Sequence, residues 1–373
     1  MKKRVFMVLV MCLLCIASSA FAAFDLKPYM YTEDAVYPVD AETILVINRS
    51  EDCHDIELRR AGTVTCSVSV PREDDFLSPF VRYDGRIGFI VGAEFAYIPV
   101  DKRFFLMNRD GTITQAYDLD DDLRYLKARD NGFAGLTRTE NGKRLVVMDE
   151  WGKPLFDREY IAFEDESLGL FDCVQDSDGT YFGAISCEAM PADGAQRMIL
   201  THFDAQGNVL WESEFAAKYD YNHSVLAGDG KGGAYVVKTD DENYKILQAY
   251  YFDSEGSMKW MKQIEAEGLI LDAIFGEVDS ESGNLIIDGT VISKSKGVYK
   301  PVKYELSKQG EIVSVKAKDF SSRPDYSFNL NKAQDGSIFA KSAANYLGTK
   351  NTKLVVAPVE ALPETSSPTI KVY

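Results

Sequence analysis

Two glycine series running in step, and no long amphipathic helical pattern, predict an all-β chain folded as a single β-propeller of four-stranded antiparallel blades. The first series is a phrase of an apolar residue, a turn residue, two more residues and a glycine. It occurs as Leu58-Arg59-Arg60-Ala61-Gly62, Met107-Asn108-Arg109-Asp110-Gly111, Met148-Asp149-Glu150-Trp151-Gly152, Phe203-Asp204-Ala205-Gln206-Gly207, Phe252-Asp253-Ser254-Glu255-Gly256 and Leu306-Ser307-Lys308-Gln309-Gly310. These marker glycines lie 49, 41, 55, 49 and 54 residues apart, the period at which a propeller sheet recurs. The second series places hairpin turns at Asp84-Gly85, Asn131-Gly132, Asp178-Gly179, Gly232-Gly233, Ser282-Gly283 and Asp335-Gly336, with apolar runs on both sides. Glycine suits such turns because it adopts positive φ without a Cβ clash.

Each unit divides into strands A to D. Strand A precedes the hairpin glycine, as in Tyr125-Leu126-Lys127-Ala128, and strand B follows it, as in Ala234-Tyr235-Val236-Val237. Strand C runs into the marker phrase, as in Ile199-Leu200-Thr201-His202-Phe203, and strand D leaves it, as in Val209-Leu210-Trp211. Two residues after the marker glycine stand Val64, Ile113, Pro154, Val209, Met258 and Ile312, five of them apolar, which predicts an inter-blade packing position there. Counting units gives seven blades, with six or eight as open alternatives. The first spans about 35–70, and the last, from about Tyr326, lacks a strand D; residues 24–31 are expected to supply that outer strand and close the ring. The propeller thus occupies 23–362. Residues 363–373, rich in Ser, Thr and Pro, read as a flexible tail, and 186–196 and 292–299 read as loop insertions.

Residues 1–22 read as a signal peptide: a basic start at Lys2, Lys3 and Arg4, an apolar run from Val5 to Ala17, and small residues at Ala20-Phe21-Ala22 for cleavage. The run is short for a membrane span, and Met11 and Leu14 stand where a lipid-anchor motif at Cys12 or Cys15 needs a small residue. Export to the periplasm or the extracellular space is the expectation. Cleavage removes three positive charges, taking the net charge from −17 to −20. Such acidity disfavours nucleic acid and anionic membranes as partners. Four cysteines remain, Cys53, Cys66, Cys173 and Cys187, enough for two disulfides in an exported chain, with four small buried apolar side chains as the alternative.

Chemistry-bearing motifs are sparse. The three histidines, His54, His202 and His223, share no metal-ligand spacing; His54 is expected in a B–C loop, His202 in a strand C, and His223 at the start of a strand A. No Gly-x-Ser-x-Gly string points to a serine nucleophile. Asp118, Asp120, Asp121 and Asp122 form an acidic cluster, and Asp176-Ser177-Asp178-Gly179 and Asp279-Ser280-Glu281-Ser282-Gly283 look like shortened calcium loops. The last two coincide with turns the repeat already requires, so no metal or other cofactor is assigned.

The strings Phe203-Asp204-x-x-Gly207-x-Val209-x-Trp211 and Phe252-Asp253-x-x-Gly256-x-Met258-x-Trp260 resemble the tryptophan-docking repeat of the quinoprotein-like (PQQ-like, WD-like) propellers, where Asp-x-x-x-Gly-x-x-x-Trp ends each blade. Here aspartate and glycine are three apart, and Cys66, Gln115, Phe156 and Ser314 replace tryptophan in the other units. The resemblance implies a propeller of that class, whose exported members include quinone-dependent dehydrogenases and non-catalytic scaffolds such as the outer-membrane assembly propeller lipoprotein. The dehydrogenases carry adjacent cysteines, which this chain lacks. The reading is therefore an exported, monomeric, non-enzymatic propeller that binds a protein, peptide or glycan. The alternative is a carbohydrate-active hydrolase or lyase with acidic residues at the central channel.

Overall fold

Period-two alternation of apolar side chains, broken every few residues by glycine turns, leaves this chain no stable conformation except short antiparallel strands. In the computed structural model the described residues are 23–24, 36–40, 42–49, 52–60, 63–71, 79–81, 85–91, 102–119, 123–129, 132–163, 166–189, 197–217, 224–239, 246–293, 298–320, 327–333, 336–344 and 353–373. They form seven sheets. After β1 (Ala23–Phe24), blade 1 comprises β2 (Val36–Pro38), β3 (Thr43–Arg49), β4 (Cys53–Arg60) and β5 (Thr63–Pro71). Blade 2 is β6 (Phe80–Val81), β7 (Ile87–Val91), β8 (Lys102–Met107) and β9 (Ile113–Leu119), and blade 3 is β10 (Arg124–Arg129), β11 (Gly132–Arg138), β12 (Gly142–Met148) and β13 (Pro154–Ile161). Blade 4 holds β14 (Glu166–Gln175), β15 (Tyr181–Ala189), β16 (Arg197–Phe203) and β17 (Val209–Ala216). Blade 5 holds β18 (Ser224–Gly228), β19 (Ala234–Thr239), β20 (Ile246–Phe252) and β21 (Met258–Ala266). Blade 6 is β22 (Ile270–Val278), β23 (Leu285–Ser293), β24 (Val298–Leu306) and β25 (Ile312–Lys318), and blade 7 is β26 (Ser327–Lys332), β27 (Ile338–Ala344) and β28 (Lys353–Pro358).

Within each sheet the strands pair in chain order, and β1 completes blade 7 by pairing with β28, Ala23 opposite Val355 and Phe24 opposite Leu354. The rest of the expected closing segment, 25–31, lies outside the described residues. First strands of neighbouring blades touch, β10 with β14, β14 with β18 and β18 with β22, and β2 meets β26 where the ring closes. The core is accordingly divided into layers between blades. One layer joins blades 5 and 6 through Tyr235, Leu247, Ile264, Leu285 and Tyr304; another joins blades 3 and 4 through Leu145, Tyr160, Leu170 and Phe203.

A repeated bulge corrects the expected inter-blade position in three of the blades. Strands C and D of blades 1 to 6 each shift register at the same place, leaving the third residue after the marker glycine (Thr65, Thr114, Leu155, Leu210, Lys259, Val313) without an opposite partner. The extra residue inverts the side-chain phase. The apolar residue two after the glycine is turned outward in three blades, Val64, Val209 and Met258 being about two-fifths exposed, whereas Ile113 and Ile312 pack partly buried against the layers between blades 1 and 2 and between blades 5 and 6 as expected. In blades 1, 3, 4 and 5 the fourth residue, Cys66, Phe156, Trp211 or Trp260, lies against the next blade's glycine.

Three further expectations are corrected. The 363–373 segment forms β29 (Glu364–Thr365) on the outer edge of β25 and β30 (Ile370–Val372) on the outer edge of β21. Its Ser, Thr and Pro composition hid alternating Ile370 and Val372, whose backbone fills edge donors and acceptors left by strand D. His54 sits in β4, fully buried, opposite Val70 and Arg49 rather than in a loop. The described parts of the expected insertions are strand, 186–189 in β15 and 292–293 and 298–299 in β23 and β24, while 190–196 and 294–297 lie outside the described residues.

Candidate functional site

The marker glycines are structural sockets. Gly111, Gly152, Gly207, Gly256 and Gly310 take φ of 88°, 72°, 83°, 76° and 78°, and Gly62 lies outside the described residues. In the turns at Gly152, Gly207, Gly256 and Gly310 the preceding aspartate or serine closes the turn: Asp204 Oδ1 accepts from the Gln206 and Asn208 amides at 2.9 and 2.8 Å, and Asp253 Oδ1 from Glu255 and Ser257 at 3.1 and 2.9 Å. A Cβ on Gly256 would stand 2.8 Å from Trp211 Cε3, one on Gly310 would stand 3.3 Å from the Trp260 ring, and those on Gly111 and Gly207 would overlap Cys66 and Phe156. Each is the fourth residue after the previous blade's glycine. The indole of Trp211 donates to the Gly232 carbonyl at 3.0 Å and that of Trp260 to the Lys308 carbonyl at 2.8 Å, so each tryptophan is bonded into the next blade.

The cysteines fall into this framework. All four are free thiols. Cys66 is the docking residue under Gly111, opposite Leu58, whereas Cys53 lies opposite Pro71 at the far end of the same strand pair. Cys173 and Cys187 lie opposite Gly183 and Leu168, four paired positions apart along the ladder, so neither sequence-near pair is brought together. Burial pushes both the Cys173 and Cys187 thiols up to about 12.

His202 stacks on Phe182 with ring centroids 4.3 Å apart, and its Nε2 lies 2.9 Å from Thr180 Oγ1; burial lowers its proton affinity. His223 and Asp120 to Asp122 lie outside the described residues, while Asp118 pairs with Arg103 at 2.7 Å. Asp176 accepts from the Gly230 amide at 2.9 Å, tying blade 4 to blade 5. No grouping of three or more His, Cys, Asp or Glu suited to a metal occurs among the described residues.

Chemistry gathers instead at the rim where strands A and C begin, between blades 3 and 4. The first strand of blade 3 shifts register between Arg124 and Lys127, and within that bulge Tyr125 has φ of 52°, the one positive φ outside glycine among the described residues. A β-region residue forced there carries strain on the order of 1–3 kcal/mol, which concentrates at functional positions. Lys143, opening β12, places Nζ 4.2 Å from the centre of the Tyr125 ring and donates to the Leu168 carbonyl of blade 4. Burial lowers its proton affinity to about 8, with Glu188 opposing and Arg138 reinforcing the shift. Beside it Arg197 grips Glu166 through Nε and Nη2, both at 2.9 Å, and reaches Glu214 at 2.6 Å. The Arg197 guanidinium lies 4.1 Å from the centre of the Phe163 ring, and holds the Glu166 carboxyl below its ordinary range. Phe163 and Ile161, 62% and 66% exposed, extend an apolar lip from the end of β13, where Ile161 lies opposite Gly142.

A second polar cluster lies between blades 6 and 7. Asp288 is buried in β23 with Lys303 at 3.5 Å; Lys303 also approaches Glu360 at 3.6 Å, and Lys332 approaches Glu277 at 3.6 Å. Burial pushes the Asp288 carboxyl up to about 6, partly countered by Lys303.

Sequence reasoning missed both groupings. Lys143, Tyr125 and Glu166 belong to different strands and meet only through register, and nothing in their spacing marks them.

No protein-family model matches the chain, and no curated protein matches it in sequence. Among solved structures, the chain is similar to the WD40 domain of Toxoplasma gondii coronin, with TM-score 0.50 and 11% identity over 94% of this chain and 86% of that one. BamB from Moraxella catarrhalis shows 15% identity and TM-score 0.40 over 86% of this chain and 84% of that one. The coronin likeness is one of fold, and with the seven sheets it makes this protein a β-propeller.

Proposed function

We propose that the chain is an exported, non-enzymatic binding or scaffold propeller of the quinoprotein-like repeat class, acting as a monomer without a cofactor. The observation that carries the binding reading is the blade 3–4 rim: a half-buried ammonium on a strained tyrosine, framed by exposed Phe163 and Ile161. Such a surface accepts a carbonyl or carboxylate at Lys143 while the lip covers an apolar or ring-shaped moiety, a combination that suits a peptide or glycan. Elsewhere buried ionic groups serve blade-to-blade contacts: Asp176 of blade 4 holds the Gly230 amide of blade 5, and the Arg129 guanidinium of blade 3 lies 5.2 Å from the centre of the Tyr181 ring of blade 4. The class assignment is supported by Trp211 and Trp260, whose docking under Gly256 and Gly310 is what the resemblance implies.

Peptide and glycan arrays probed with the protein and with Lys143→Met and Phe163→Ser variants test this. Binding that both variants weaken at least tenfold is the expected result. Binding unchanged by either would remove the rim from the argument.

A carbohydrate-active reading rests on one observation, the Asp288 carboxyl raised to about 6 and therefore suited to proton donation. Turnover of any member of a glycan panel, abolished by Asp288→Asn, would replace the scaffold assignment.

A further inference from the structure

Strands D of blades 1 to 4 have no fifth strand beyond them among the described residues, but those of blades 5 and 6 do. The occupant is a single segment running backward along the outside of the ring. After Leu362, buried against Phe320 and Leu330, the Pro363 carbonyl accepts from the Asp319 amide at 2.8 Å, and Glu364 and Thr365 pair with Lys318 and Ala317. Ser367 Oγ donates to the Val315 carbonyl at 2.9 Å, and the chain then crosses to blade 5, where Ile370, Lys371 and Val372 pair with Ala266, Glu265 and Ile264. The Glu267 amide donates to the Thr369 carbonyl at 3.0 Å, and Gln263 and Tyr373 exchange backbone bonds at 3.2 and 3.0 Å.

The contacts define a recognition pattern. Ile370 and Val372 are the inward side chains, packing against the blade 5–6 core layer on the same side as Ile264 and Ala266. Lys371 points away between them, 3.7 Å from Glu267, with Glu265 opposite its backbone. The groove thus reads main chain by pairing, two β-branched residues by packing, and one intervening cation by acidic side chains. Its resident strand is short: three paired residues at β30, two at β29, and no side-chain anchor deeper than partial burial at Ile370 and Val372. A competing extended segment that pairs with more of β21 than these three residues would make more main-chain bonds along that edge than the resident strand does.

We propose that the outer edge of β21, over the blade 5–6 cleft, is a strand-acceptor site for an extended peptide of a partner protein carrying a β-branched–basic–β-branched pattern. Residues 370–372 are its resident occupant in cis. The site is separate from the Lys143 rim and stands whether or not that rim binds anything.

The test uses the full-length chain. Ile370→Asp with Val372→Asp releases β30 while leaving Leu362 and β29 in place. A fluorescent peptide of residues 364–373 should bind this double variant saturably, bind the unmodified chain at least tenfold more weakly because the site is filled, and lose binding when the peptide carries the same two aspartates. Hydrogen exchange at the Gln263 and Glu267 amides should accelerate in the variant and slow again when peptide is added. The proposal fails if the folded variant binds neither this peptide nor slows those amides with it, if a scrambled peptide binds equally, or if the variant dimerises, which would make a second copy the occupant. Should the double variant not fold, native-state exchange of the unmodified chain decides. Gln263 and Glu267 amides exchanging at least tenfold faster than the β20–β21 amides show local release of the strand, whereas exchange only through global unfolding overturns it.

Discussion

Replacing Gly256 with alanine should destabilise the protein far more than the same change at Gly179, although both glycines have positive φ, 76° and 87°. The left-handed conformation costs an alanine about 1–2 kcal/mol, and the stiffer unfolded chain offsets about 0.4–1 kcal/mol of it. At Gly179 nothing lies within 4 Å of the added Cβ, so the change there should cost only the remainder, roughly 0–1.5 kcal/mol. At Gly256 the methyl group meets Trp211 Cε3 at 2.8 Å, Cδ2 at 2.9 Å and Ser213 Oγ at 3.2 Å, and the indole cannot retreat while it donates to Gly232. Overpacking of that kind adds about 1–3 kcal/mol. Urea unfolding of the two variants, with unchanged slopes, reads the difference directly. In a Trp211→Ala background the overpacking should vanish, giving a coupling energy of similar size. Equal losses at the two glycines, or additivity with Trp211→Ala, would refute the socket.

The remaining predictions concern charge and the outer edge. Lys143 has a folded proton affinity near 8 against an ordinary value of 10.5, so the unfolded chain binds more protons between those pH values and stability should rise with pH there. Lys143→Met should flatten that rise, as seen in urea midpoints from pH 7 to 11. Asp288 is shifted the opposite way, from 3.8 to about 6; its stabilising contribution is complete below pH 3.8 and is lost as pH rises through about 6. Subtracting the Asp288→Asn profile from that of the unmodified protein should isolate this fall between pH 4 and 6. Mass-spectrometric alkylation without denaturant should modify half-buried Cys53 and Cys66 before Cys173 and Cys187, and alkylation at all four of these positions after denaturation without reductant would agree with free thiols.

What the chain discloses before folding is whatever the repeat must state in every unit. Turn glycines and the aspartates that close their turns are local requirements, and so the seven units are visible in one dimension. Trp211 and Trp260 are visible for the same reason. The inter-blade position holds at Ile113 and Ile312 and fails at Val64, Val209 and Met258, because a bulge is a defect of pairing, and pairing is not written in either strand alone; Val209 and Met258 look like core until the extra residue turns them outward. His54 reads as loop because it closely follows the turn residues Ser50 and Asp52, and nothing in the sequence shows that pairing resumes as early as Cys53. The rim around Lys143 draws on β10, β12 and β14, and the outer strand at 370–372 depends on an edge contributed about a hundred residues earlier, so neither had a local signature.

The glycine sockets also decide where this ring can be cut. A blade's own four strands are not its interchangeable part, because each blade presents a side chain sized for the glycine that follows it: Cys66 for Gly111, Phe156 for Gly207, Trp211 for Gly256. Moving a whole sheet to another place in the ring would set a tryptophan against a turn shaped for a cysteine. The transferable module runs from the docking side chain of one blade to the marker glycine of the next, and recombination, duplication or grafting that respects those boundaries carries both halves of each joint together.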